Sequence, residues 1–396
     1  MQIVLIADTF PPLRTSGAVQ LRDLSREFMR QGHNLTVLLP SPNLEDLWRV
    51  ELVGGVRVLY LKAPRTKDIG YVRRTLAECI MPFAMFRGLR KSPLANEQWD
   101  GVVWYAPSIF HGPLASMLMK ASGCKGYLII RDIFPDWAVD MGLMGRGLRY
   151  AFFDAVARYQ YSVAHVIGVQ TPSNRRYFDR WENQPNRRLE VLQNWLDQPG
   201  DLPCSIRLNE TSLAGRKVFV YAGNMGVAQG MDILLDLAKL FRDRSDVGFL
   251  FVGRGNDWRR LRLRALDSQL DNVLFHDEIP PDEIPDLYSQ CSAGIVALDF
   301  RHKTHNIPGK FLTYMQSGLP VLANVNAGND LAQIIRDENV GQVCENNQLA
   351  SLADLADKLL AQIASDGALS LRCRALFDRE FTVDRAVRQI VTALSV

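Results

Sequence analysis

Apolar and polar positions follow two rhythms along this chain. Short apolar runs, IVLIA (3–7), LTVLL (35–39), VRVLYL (56–61), GVVWY (101–105), YLIIR (127–131) and HVIGV (165–169), read as buried parallel strands. Between them lie stretches with helical spacing, such as AVQLRDLSREFMRQG (18–32), which ends on Gly32 as a C-cap should. The rhythm restarts with KVFVYAG (217–223), GFLFVG (248–253), NVLFH (272–276), AGIVAL (293–298), LPVLA (319–323) and GQVCE (341–345). A Pro/Gly-rich polar stretch near residues 196–216 separates the two series as a candidate linker. Strands alternating with helices in two halves of similar size predict an α/β chain of two Rossmann-like domains facing each other across a cleft.

Glycine-bearing turns follow several predicted strands. DTFPPLRTSGAV leads from the first strand into a helix at Gly17; Gly223, Gly226 and Gly230 punctuate YAGNMGVAQGMDILLDLA; Gly253 and Gly255 punctuate FVGRGNDW. Each would let a backbone approach a phosphate at the carboxyl end of a parallel strand, although glycine in such a turn is often only steric. In HKTHNIPGKFLTYMQSGLPVLAN (302–324), Pro308 and Gly309 mark a helix start and put Lys310 in its first turn. A cation there opposes the helix dipole, which makes sense if a strong anion sits at that end; the alternative is a solvated surface lysine. Together these turns and Lys310 predict a nucleotide-diphosphate site.

Composition narrows the class. With 396 residues, 47% hydrophobic and 22% charged, the chain is a globular protein of about two domains. Six scattered cysteines form no metal-like cluster and read as thiols in a reducing compartment. The N-terminus MQIVLIAD lacks the features of a signal peptide, and no 18-residue apolar run occurs, so the expectation is a chain neither secreted nor membrane-spanning. Net charge is +3, but residues 1–200 carry 25 Lys/Arg against 18 Asp/Glu, and the remainder is acidic. That asymmetry suggests an anionic partner for the first half. Neither zinc-finger spacing nor an RNA-binding aromatic motif supports nucleic acid.

These residues resemble the family-4 retaining glycosyltransferases of the GT-B fold over nearly the whole chain. FPP…SG with REFMRQGHNLTVLLP is similar to the family's first loop, helix and strand. VLQNWLD (191–197) resembles the element before the linker, YAGNMGVAQGMDILL and FVGRG the two phosphate-side turns, and IPGKFLTYMQSGLPVLA the most specific motif. The nearest branch in appearance assembles bacterial O-antigen or capsule repeats on a lipid diphosphate, including the N-acetylfucosamine transferase type. The resemblance implies an acceptor-binding domain at 1–200, a nucleotide-sugar-binding domain at 201–378, and a C-terminal helix at 379–396 packing back on the first domain. It implies a UDP-sugar donor, a polyprenyl-diphosphate-linked saccharide acceptor, no metal and no cofactor. It also implies a cytoplasmic location on the inner face of the plasma membrane.

Site residues follow from the motif matches. Lys310 is the first catalytic candidate, a fixed cation for the charge developing on a departing diphosphate. Arg254 is a second phosphate-binding candidate, and Asp132 could deprotonate or orient the acceptor hydroxyl. Gly17, Gly223, Asn224, Met225, Gly226, Gln229, Gly253, His305, Asn306, Ile307, Pro308, Gly309 and Thr313 fall on the donor side, with Arg14, His111 and Arg131 on the acceptor side. The departures are specific. The family's two glutamates are replaced by His305 and Thr313, and its phosphate-binding Arg and Lys by Asn224 and Gln229. An epimerase on the same fold and a non-catalytic nucleotide-sugar-binding protein are the competing readings. Finally, residues 70–94 mix Arg73, Arg74, Arg87, Arg90 and Lys91 with large apolar side chains, which suits an anionic membrane surface. The alternative is a core-packed helix, and Pro82 is expected to interrupt it.

Overall fold

The computed structural model describes residues 1–13, 15–226, 229–299 and 306–395. The chain folds into two compact units, Met1–Asp197 with Val383–Val396, and Gln198–Thr382. The predicted runs become strands. In the first unit these are β1 (Gln2–Ile6), β2 (Asn34–Ser41), β3 (Trp48–Val53), β4 (Val56–Lys62), β5 (Gly101–Tyr105), β6 (Lys125–Ile129), β7 (Val166–Val169) and β8 (Arg188–Val191). They lie in the order β3-β4-β2-β1-β5-β6-β7-β8, and only the β3–β4 pair is antiparallel. The edge strands β3 (WRVELV) and β8 (RLEV) escape an apolar-run reading because each buries little and carries charged residues.

Each face of this sheet has its own core. Helices Tyr71–Arg90, Gly112–Ser122 and Leu148–Val163 contribute Met81, Met85, Leu114 and Ala157 to one. Helices Ser16–Arg30 and Val383–Ser395 contribute Leu21, Leu24, Phe28, Val387 and Ile390 to the other. The chain therefore returns to the first unit for its last helix. The return begins at Val383 rather than at 379, because Phe381 still packs edge-on to Phe311 of the second unit at 6.0 Å.

Helix Tyr71–Arg90 is continuous through Pro82, contrary to expectation. One face, with Ala77, Met81, Met85 and Leu89, is buried on the core, and this tertiary packing outweighs the one backbone hydrogen bond that proline removes. Its other face leaves Val72, Leu76, Ile80 and Phe83 more than half exposed, flanked by exposed Arg73, Arg74, Arg87, Arg90 and Lys91. Among the described residues no helix is long and apolar enough to cross a membrane.

The second unit is a parallel sheet of β9 (Lys217–Asn224), β10 (Val247–Arg254), β11 (Val273–His276), β12 (Ala293–Ala297), β13 (Val321–Asn324) and β14 (Gly341–Cys344). Its order, β11-β10-β9-β12-β13-β14, reverses direction between β9 and β12. Loops leaving the carboxyl ends of those two strands part there, opening the crevice where doubly wound sheets bind ligands. Much of the candidate linker is not free chain. The Cys204 backbone N–H donates to Asp286 at 2.7 Å, that of Leu208 to Gln290 at 3.0 Å, and Cys204 and Ile206 are buried in the second unit.

Candidate active site

Lys310 stands at the switch point of the second sheet. Helix Gly309–Ser317 begins there with Pro308 as its N-cap, whose side chain offers no acceptor to the first N–H groups. The helix is fixed from below. Tyr314, one turn after Lys310, points its hydroxyl between the carbonyl oxygens of Val220 on β9 and Ile295 on β12, at 3.1 Å from each. Its ring lies against Gly294, where a Cβ would come within 2.5 Å of Tyr314 Cγ. Phe311, Leu312 and Met315 bury the rest of that face.

The Lys310 ammonium lies 3.7 Å from the centre of the Tyr221 ring on β9. Tyr221 is itself held by its hydroxyl, which donates to the Asn224 carbonyl at 2.7 Å. Among the described residues no carboxylate pairs with Lys310, so the ring face is its main electrostatic partner. Burial without a counter-anion pushes its pKa down from 10.5 to about 7. The side chain reaches the end of β9 at Gly223, whose φ of +139° favours glycine and where a Cβ would lie 3.6 Å from Lys310 Cε. A desolvated lysine, a helix N-terminus whose N-cap Pro308 offers no side-chain acceptor, and a bare strand end thus converge on one point. That combination can receive an anion.

The remaining donor-side candidates surround it. Met225 is buried, and its N–H donates to the Arg254 carbonyl at 2.7 Å while its own carbonyl accepts from Asp257, tying the two glycine turns together. Gly253 is needed for a different reason than a phosphate. Any side chain there would collide with the Gly223 carbonyl of the neighbouring strand. Gln229 Oε1 accepts from the Gly226 N–H at 3.0 Å and lies 3.5 Å from Asn224 Nδ2, so the two neutral replacements brace this turn. Thr313 donates its hydroxyl to the Gly309 carbonyl at 3.0 Å, within its own helix. Ile307 is buried, and Asn306, Pro308 and Gly309 are partly accessible. His305 and Arg14 lie outside the described residues. Arg254 is exposed and forms an ion pair with Glu278 at 2.9 Å, so its charge is already matched.

The first-unit candidates group at the carboxyl ends of β1, β5 and β6. Gly17, in the first turn of helix Ser16–Arg30, packs where a Cβ would come within 3.3 Å of Thr9. Asp132 is exposed on the turn after β6. Arg131 and His111, expected on the acceptor side, are both buried there rather than open to solvent. Arg131 is buried, donates to the Leu192 and Gln193 carbonyls at 2.9 and 3.3 Å, and stacks over Trp195 at 4.5 Å. It is a strut between β6 and the 192–195 segment. His111 is fully buried before helix Gly112–Ser122, and burial lowers its pKa. Residue patterns single out neither Tyr221 nor Tyr314. Tyr314 sits one turn beyond Lys310, which is the signal that could have found it.

Residues 216–362 match the family model described as "Glycosyl transferases group 1". The fold is GT-B. The chain is 25% identical over 248 residues to "Probable glycosyltransferase WbjE" of Pseudomonas aeruginosa, spanning 61% of this chain and 62% of that relative. It is 23% identical to "Putative colanic acid biosynthesis glycosyl transferase WcaI" of Escherichia coli K12, over 84% and 86% of the two chains. Among solved structures, Anabaena Alr3699/HepE in complex with UDP and glucose superposes with a TM-score of 0.69 at 14% identity, covering 100% of this chain and 99% of that one. At that identity the likeness establishes the fold alone.

Proposed function

We propose that this chain is a retaining glycosyltransferase that moves a sugar from a UDP-sugar donor to a polyprenyl-diphosphate-linked saccharide, in the assembly of a bacterial surface polysaccharide such as O-antigen or capsule. The observation that carries the reading is the desolvated Lys310 ammonium at a helix N-terminus beside Gly223. Departure of a nucleoside diphosphate from an oxocarbenium-like centre places new negative charge on the leaving oxygen. A preorganised cation and helix N–H groups stabilise that charge without rearranging in the transition state. The group 1 match over the second unit and the names of the two relatives support the same class.

Among the described donor-side candidates, Asn224 and Gln229 are neutral and Arg254 is paired. Among them Lys310 is the cation left for diphosphate recognition. An N-acetylated deoxy-amino sugar is the donor group suggested by the family resemblance, and neither metal nor cofactor takes part in the scheme. The exposed apolar stripe of helix Tyr71–Arg90 with its cations suits reversible docking on the anionic cytoplasmic face of the membrane. Incubation with UDP-sugars, with and without a lipid-linked acceptor, tests the reading. Acceptor-dependent UDP release supports transfer. Epimerised donor without acceptor, or binding without turnover, would replace it with the epimerase or the binding-protein reading.

A further inference from the structure

The first unit contains a half-open pocket of about 500 Å³, lined by the turn after β6, by helix Leu148–Val163 and by residues 177–184. Its volume is that of a small-molecule site. Arg131, Asp132 and His111 are not in its wall.

The wall combines two kinds of group. Phe134, Tyr150, Tyr161, Tyr177 and Trp181 supply aromatic rings. Asp136, Asp154, Arg158 and Arg180 supply charge. Three of these four charged groups are held in place. Tyr150 donates its hydroxyl to Asp136 at 3.0 Å, and Arg158 Nε donates to Asp154 at 2.6 Å. Tyr161 is locked edge-on to Phe178 at 4.9 Å. Arg180 is exposed and, among the described residues, has no partner. Trp181 is only 6% exposed, and its indole N–H is a buried donor without an acceptor among the described residues. Such an orphan donor is a cost unless something fills it.

The chemistry of this wall discriminates between ligands. An apolar chain would cover Asp136, Asp154 and both guanidinium groups while offering them no hydrogen bond, and Arg180 has no other partner among the described residues to compensate. A phosphate would meet Asp136 and Asp154 as well as the arginines. A saccharide meets every group on its own terms. The C–H faces of its rings lie on aromatic surfaces, and its hydroxyls both donate to carboxylates and accept from guanidinium and indole N–H groups.

We propose that this cavity is a pocket for a short, uncharged saccharide, gripped between Tyr150 and Tyr177, with its hydroxyls paired to Asp136, Asp154, Arg158 and Arg180. Binding there needs no nucleotide, so it stands or falls separately from the sugar-transfer reading.

The test uses saturation-transfer-difference NMR and tryptophan fluorescence on the full chain. The probes are cellobiose, N,N′-diacetylchitobiose, maltose and farnesyl diphosphate. At least one disaccharide should bind with a millimolar Kd and show transfer to its ring C–H protons. Tyr177→Ala and Arg180→Ala should each weaken it about tenfold. Arg180 is exposed, so its variant folds normally, which circular dichroism verifies. Lys310→Ala and added UDP should leave the binding unchanged. The proposal is overturned if no disaccharide binds up to its solubility limit, if both pocket variants bind like wild type, or if farnesyl diphosphate competes the sugar off.

Discussion

Nucleotide-sugar binding should draw a proton onto Lys310. In the free protein burial holds its pKa near 7, and among the described residues no carboxylate pairs with it. A diphosphate delivered to the helix N-terminus supplies the missing counter-charge and returns the lysine toward its ordinary 10.5. At pH 8 about one free molecule in ten carries the proton, so binding takes up about 0.9 proton. The apparent Kd should then weaken about fivefold between pH 7 and 8, and about ninefold between pH 8 and 9. A UDP-sugar is the right ligand, because neither of its phosphates titrates near neutrality. Isothermal titration calorimetry in two buffers of different ionisation enthalpy gives the proton count directly. Lys310→Arg should bind with no uptake, since its guanidinium is charged throughout. The same shift sets the stability of the free protein. Between pH 7 and 10.5 the unfolded chain binds a proton at this lysine that the folded chain does not, so stability should rise with pH across that window. Uptake below about 0.2 proton at pH 8, or equal uptake by Lys310→Arg, would refute the reasoning.

Lys310→Ala should lower kcat about 10²-fold or more in steady-state UDP release, while circular dichroism shows an unchanged fold. Tyr314→Phe removes the hydroxyl that ties the helix to Val220 and Ile295, and should cost about 1–2 kcal/mol in urea unfolding. Prolonged EDTA treatment should leave the transfer rate unchanged, and loss of activity restored by magnesium would contradict the scheme. Each cation near an anionic surface is worth about 1 kcal/mol, so changing Arg73, Arg74, Arg87, Arg90 and Lys91 to glutamine should abolish sedimentation with anionic liposomes. Binding to neutral liposomes that survives high salt would instead assign the association to Val72, Leu76, Ile80 and Phe83.

The sequence alone determined the α/β class, because runs such as KVFVYAG and AGIVAL are apolar enough only for strands covered on both faces. It also determined where the Lys310 helix starts, since Pro308 and Gly309 are local signals that tertiary contacts rarely override. Local pattern could not determine the edges. β3 and β8 carry charged residues and form only because a neighbour offers hydrogen bonds. Pro82 shows the same limit from the other side. A local breaker is accommodated because Met81 and Met85 are anchored in a core assembled from distant segments. What Lys310 does was least legible of all. A lysine in PGKF could equally be solvated, and its depressed pKa comes from burial that the tertiary packing imposes, with Tyr221, 89 positions earlier, brought against it by the sheet. Tertiary structure likewise turned Arg131 into a strut and buried His111. Burial and charge pairing depend on what the fold places alongside a residue, and its neighbours in sequence do not fix that.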